Sequence, residues 1–182
     1  MSIDKYIKKA ESISLTGDDI DRITDKKCNI LSYHELEQYT NLEKVLGKWN
    51  ACIFLYETKL NQGHWCCIFL NTDNSLHFFD SYGFRCDTEL KYADYNLREH
   101  NGRQVPHLSG LIDEFMERYP EVHLYQNTYK YQVMSKDVNT CGRYASYRIK
   151  MRYMSDNDFQ TMLTKNKYYN SDWWISLLTV QL

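Results

Sequence analysis

His64-Trp65-Cys66-Cys67-Ile68-Phe69-Leu70, followed after Asn71-Thr72-Asp73-Asn74-Ser75 by Leu76-His77-Phe78-Phe79-Asp80, is the stretch on which the fold turns. Two aromatic and apolar runs of strand length flank a polar cluster suited to a tight turn, so the segment reads as an antiparallel hairpin. A hairpin brings its outer ends together. His64 opens the first strand and Asp80 closes the second, so the pairing sets an imidazole and a carboxylate side by side at one sheet edge. Successive strand residues face opposite ways, which separates Cys66 from Cys67 and turns His77 away from Leu76 and Phe78.

Upstream, Ala51-Cys52-Ile53-Phe54-Leu55-Tyr56 is a third strand-like run, and residues 1–50 read as a covering layer of helix and loop. Thr16-Gly17-Asp18-Asp19 has the form of a helix start, and Tyr33 to Leu46 carries apolar residues near helical spacing. Downstream, Leu108, Leu111, Ile112, Phe115 and Met116 share one face of a helix from Leu108 to Arg118, bracketed by Pro106 and Pro120. Val122 to Gln132 reads as a further strand, Met134 to Asn139 as a polar loop, and Trp173-Trp174-Ile175-Ser176-Leu177-Leu178 as a packed C-terminal segment. The expected class is α+β, with a central mixed, largely antiparallel sheet flanked by helices in a single domain spanning 1–182.

Asn139-Thr140-Cys141-Gly142-Arg143-Tyr144 marks a loop passing into a helix, with Thr140 or Asn139 as N-cap. A cysteine in a first helical turn meets unpaired N–H groups and the positive end of the helix dipole, which favour a thiolate. A thiol hydrolase needs a nucleophile, an imidazole base and acid, a group that orients the imidazole, and oxyanion donors. Cys141, His64, Asp80, and Gln132 with the Cys141 N–H fill those four roles. Each residue alone has a plainer reading: a hydrogen-bonded strand histidine, a turn aspartate before Ser81-Tyr82-Gly83, a surface glutamine with Gln126 as rival, a small buried thiol. His34, His77, His100, His107 and His123 compete with His64. The joint order and context carry the hypothesis.

With 182 residues the chain is long enough to bury a core without staples. Its net charge of −2 argues against bulk duplex nucleic acid as the dominant partner. Arg143, Arg148, Lys150 and Arg152 lie on or near the Cys141 helix, a solvated face or a polyanion contact. Six cysteines without a signal-like run after Met1 point to a reduced, unsecreted setting, and no apolar run is long enough to span a bilayer. Cys52, Cys66 and Cys67 read as core residues. No paired metal-ligand spacing is present, so no metal is expected.

Gly63-His64-Trp65 at a strand start, Phe79-Asp80-Ser81-Tyr82-Gly83 after the next strand, Gln132, and Cys141-Gly142 at a helix start resemble the adenovirus-type (adenain-like) cysteine proteases and the related proteases of SUMO and ubiquitin-like proteins. The resemblance covers about residues 51 to 155, and its compact spacing is most like maturation proteases of double-stranded DNA viruses and virophages. It implies cleavage of capsid or core precursors next to small residues such as glycine, with Trp65 and Gly142 at the substrate channel. It implies an infected-cell and virion location, no cofactor for the chemistry itself, and a monomer that meets no membrane. A peptide or DNA activator, with weak DNA contact, also comes with the family. Gln132 stands farther before Cys141 than the family pattern has it, and Asp80 replaces adenain's glutamate. A protease acting on ubiquitin-like modifiers and a non-catalytic capsid-binding protein of the same fold are the alternatives.

Overall fold

The structure, a computed structural model, describes residues 2–59, 62–92 and 106–180. Five strands form one sheet in chain order: β1 (Asn29–Ser32), β2 (Ala51–Lys59), β3 (Gln62–Leu70), β4 (Ser75–Phe79) and β5 (His123–Gln126). The two central pairings, β2 with β3 and β3 with β4, are antiparallel, and the outer two are parallel. The hairpin read from the sequence is β3–β4. Asn74 turns it in the left-handed region at φ 62°, and the Asp73 carboxylate accepts the Ser75 N–H.

Alternation along the strands builds two cores, one on each sheet face. Phe54, Tyr56, Cys66, Ile68, Leu76 and Phe78 pack beneath a 3₁₀ turn (Tyr33–Gln38), α3 (Leu42–Leu46) and α4 (Leu108–Arg118). Ile53, Cys67, Phe69 and Phe79 pack beneath α2 (Gly17–Ile23), α5 (Cys141–Lys150), α6 (Asp156–Thr164) and α7 (Ser171–Val180). α1 (Ile3–Glu11) lies against α7. Each fully buried aliphatic or aromatic side chain contributes roughly 1.5–3 kcal/mol, so these layers hold the sheet rigid beneath the site. Among the described residues no helix is long and apolar enough to cross a membrane.

Three details differ from the sequence reading. Asn29–Ser32, expected within a helix-and-loop layer, pairs parallel to β2; four residues are too few to show a period. The strand expected over Val122 to Gln132 ends at Gln126, because Asn127 leaves the ladder and takes backbone groups of Asp80 and Tyr129. Helical spacing over Tyr33 to Leu46 resolves into the 3₁₀ turn and the short α3. Thr16 does cap α2, in a reciprocal box with Asp19.

The basic tract of α5 divides into two buried and two accessible residues. Arg143 is buried and donates to Thr179 Oγ1 and Ala10 O, while Arg148 has no exposed surface and pairs with Asp156 at 2.6 Å. Lys150 donates to Ile23 O, and Arg152 to Trp49 O and Tyr153 Oη. A polyanion cannot reach Arg143 or Arg148 without unfolding the helix layer, and the other two charges are tied to the protein's own oxygens.

Candidate active site

Gly63 sets the approach to the site. A Cβ there would lie 1.9 Å from Tyr56 O, so only glycine admits this closeness where β2 and β3 pair irregularly between Glu57 and Lys59. The next residue, His64, is 5% exposed, and its Nε2 lies 3.1 Å from Asp80 Oδ1. A carboxylate can only accept, so Nε2 carries the proton, and Nδ1 is left for the cleft that His64 shares with Cys141. Tyr82 stacks on the imidazole with centroids 4.4 Å apart. Burial alone would lower the His64 pKa, but its bonds to Asp80 and Cys141 and the pull of both groups push it well above the ordinary value. The stability linked to that charge is full below about pH 6.5 and is lost as pH rises through the raised value.

Asp80 is held from several sides. Tyr82 N donates to its Oδ1 at 2.6 Å, and the Cys66 thiol donates to Oδ2 at 3.4 Å. Asn127 brackets its backbone, accepting from Asp80 N and donating to Asp80 O. His64, Cys66 and Asp80 thus bring three potential ligand atoms within 4.8 Å of one another. They are already hydrogen-bonded among themselves, and burial drives the Cys66 pKa far up, opposing the thiolate a metal would need.

Cys141 is the first residue of α5 and Thr140 its N-cap, as expected from the sequence, but the cap makes no side-chain bond to the helix. Thr140 is in the helical region and its hydroxyl donates to Asp172 Oδ1 at 2.5 Å, so no side chain caps the first turn. The first N–H groups of α5 are therefore free to stabilise negative charge at Cys141. Asp172 also accepts the Val133 N–H through Oδ2. One buried carboxylate on α7 thereby anchors the residue after Gln132 and the residue before Cys141, which absorbs the long spacing between them. Gln132 is 2% exposed; its Oε1 accepts from Ser81 Oγ at 2.7 Å and its Nε2 donates to Val138 O at 3.2 Å. The second Nε2 hydrogen is available to the cleft that Gln132, His64 and Cys141 line together.

Two depressions meet at Cys141. One, of about 740 Å³, runs along Leu15, Gly17, Leu55 and Trp65; the other, of about 250 Å³, along His64, Tyr82, Glu89 and Gln132. Trp65 lines the larger, its indole N–H donating to Leu15 O. Gly142 lines neither. A Cβ there would be 3.1 Å from both Leu15 Cβ and Trp65 Cδ1, so the close packing of α5 on Leu15 and Trp65 favours glycine.

Of the rival histidines, His34 bonds Glu57 and His77 lies between Phe69 and Tyr125, while His100 is outside the described residues. Gln126 accepts the Cys86 N–H and is no rival to Gln132. Sequence reasoning missed Asn127 and Asp172, which carry no local signal. It quoted Ser81 and Tyr82 without assigning them a role.

The thiols should differ sharply in reactivity. Burial raises Cys28 to about 11 and pushes Cys52, Cys66, Cys67 and Cys86 well above the ordinary value. Against a free thiol at ~8.5, Cys28 then holds about 300-fold less thiolate at neutral pH. Iodoacetamide at neutral pH should label Cys141 first, followed by peptide mass mapping, and His64→Ala should remove the preference. Earlier labelling of any other cysteine would mean that the helix start and His64 do not favour the Cys141 thiolate.

No protein-family model matches the chain. It is 38% identical over 156 residues to the uncharacterized protein V9 of Sputnik virophage, covering 86% of each chain. Its fold is similar to the crystal structure of the ASFV pS273R protease, with a TM-score of 0.54 and 14% identity over 94% of this chain and 68% of that one. The selenomethionine form of the same protease gives 0.52, with 15% identity over 98% and 74%. At such identities the likeness shows the α+β fold.

Proposed function

The chain belongs to the family of the uncharacterized protein V9 of Sputnik virophage, and we propose that it is a cysteine endopeptidase acting through Cys141, His64, Asp80 and Gln132. One observation carries the reading: His64, bonded to Asp80, lines one cleft with Cys141 and Gln132, and Cys141 stands at a helix start with no side-chain cap. The Cys141 thiolate attacks the scissile carbonyl. The developing oxyanion is stabilised by the Cys141 N–H and the second Gln132 Nε2 hydrogen, each such donor being worth about 10²–10³ in rate. His64, kept protonated by its raised pKa, gives its proton to the leaving amine as the thioester forms, and then activates the water that hydrolyses it. Asp80 holds the tautomer that presents Nδ1 to sulfur.

The substrates we propose are viral capsid or core precursors, cleaved next to small residues such as glycine. The virophage relative and the fold shared with a viral protease support the viral setting. The Trp65 and Leu15 wall beside Cys141 supports a small residue there. Residues 1–182 form one protease domain in this reading, supported by the single sheet that both helical layers share. The chain acts as a monomer in the infected cell and the virion, without a cofactor for its chemistry. The buried arginines of α5 lend no support to DNA as an activator, and an activating peptide would have to act elsewhere.

The test is incubation of the purified chain with glycine-containing capsid precursors of its own virus and, separately, with a folded ubiquitin-like modifier fusion. Precursor cleavage that Cys141→Ala abolishes is the expected result. Cleavage of the modifier fusion alone would reassign the substrate, and failure on both with an unreactive Cys141 would favour a non-catalytic capsid-binding protein.

A further inference from the structure

Beside the catalytic groups lies a buried carboxyl that the chemistry above does not use. Glu89, on the 3₁₀ turn Thr88–Tyr92, is 5% exposed, and its Oε1 has no hydrogen-bond partner among the described residues. Among the described residues, the buried Asp172 is held by Thr140 and Val133, and the buried Asp80 by His64, Cys66 and Tyr82. A buried carboxyl oxygen without a donor costs free energy and ordinarily finds one. Lys91, two residues on, does not bond it, and its ammonium lies over the Phe84 and Tyr92 rings at 5.2 and 4.8 Å.

Glu89 lines the smaller cleft with Thr58, Tyr82, Tyr92 and Cys141. Trp65 lines only the larger depression and Glu89 only the smaller, and the two depressions share Thr58, Gly63, Asn139 and Cys141. A carboxylate set among phenol rings is the lining that a cation favours, through the ion pair and through the ring faces. We propose that Glu89 forms the base of a substrate subsite that takes a basic side chain, lysine or arginine, close to the scissile bond. The assignment rests on the protease reading given above. Cys141 and Glu89 both line this cleft of about 250 Å³, which sets the subsite beside the thiol. Burial raises the Glu89 pKa while the His64 charge opposes the rise, and an incoming cation would favour the carboxylate form further.

The experiment compares two thiol reagents of the same chemistry and opposite charge, trimethylammonioethyl methanethiosulfonate and sulfonatoethyl methanethiosulfonate. The Cys141 thiolate takes the reagent's sulfenyl sulfur and expels methanesulfinate from either, and mass mapping reads the rate at Cys141. The cation-to-anion rate ratio should be about tenfold higher in the wild-type chain than in Glu89→Gln, as expected for removing one charge from a low-dielectric cleft. An equal ratio in the two proteins would overturn the subsite. A second measurement needs no variant: peptides differing only in lysine against glutamate at each position around one glycine should be cleaved by the wild-type chain with at least about tenfold preference for lysine at one position. Cleavage without such a preference would reject the subsite and keep the protease. No cleavage of any peptide, with a reagent ratio that still depends on Glu89, would reject the protease and keep a cation-binding cleft.

Discussion

Replacing Cys141 by alanine is expected to remove peptide hydrolysis altogether, a loss of about 10⁴–10⁶ in turnover, and His64→Ala should be nearly as severe. The two act as a unit in the proposed chemistry, since the thiolate and the proton for the leaving amine come from side chains that line one cleft. Asp80→Ala should cost roughly one to two orders of magnitude less. Tyr82 still stacks on the His64 ring in that variant, so part of the orientation survives. Steady-state cleavage of a glycine-containing peptide reads all three, with thermal unfolding of each variant as a check on folding. Full activity in His64→Ala would overturn the assignment.

A second large effect concerns stability. Arg148 lies without exposed surface between the Phe69 and Phe159 rings, 4.9 and 5.1 Å from their centroids, and its guanidinium bonds Asp156 and Met151 O. Asp156→Ala would leave that buried cation without its counter-charge. The expected cost is about 2–4 kcal/mol, toward the lower part of the range for one-sided removal because Asp156 keeps contact with solvent. Burial alone would raise the Asp156 pKa, but His77 and Arg148 hold it below the usual carboxylate value. Its contribution is therefore present above the unfolded value of about 3.9 and is lost as pH falls through the lowered one. Urea unfolding at neutral pH should show the full difference between the wild-type chain and Asp156→Ala, narrowing as the solution is acidified. An unchanged midpoint at neutral pH would mean that Met151 O and the two rings suffice for Arg148.

Arg148 also shows why a helix sequence misleads about surface charge. Four basic residues near one helix suggest a solvated or polyanion-binding face, because propensity and composition carry no record of what packs above. Here α6 and α7 cover α5, and Asp156 and Thr179 accept the charges. The same blindness applies to Asp172 and Asn127. Both lie dozens of residues from the groups they clamp, in segments whose local pattern is an ordinary helix and a strand end.

The sequence by itself determined the hairpin and, through it, the meeting of His64 with Asp80, because strand alternation and a polar turn are local properties and a hairpin's geometry follows from them. It also determined that Cys141 opens a helix. Only the tertiary structure decided that this helix start has no side-chain cap, that Gln132 faces the same cleft across a longer loop, that Gly142 packs closely on Leu15 and Trp65, and that Glu89 Oε1 is buried with no hydrogen-bond partner among the described residues. Those outcomes depend on contacts between residues far apart in the chain, where the burial energy of two helical layers decides which polar groups find partners and which are left facing the thiol.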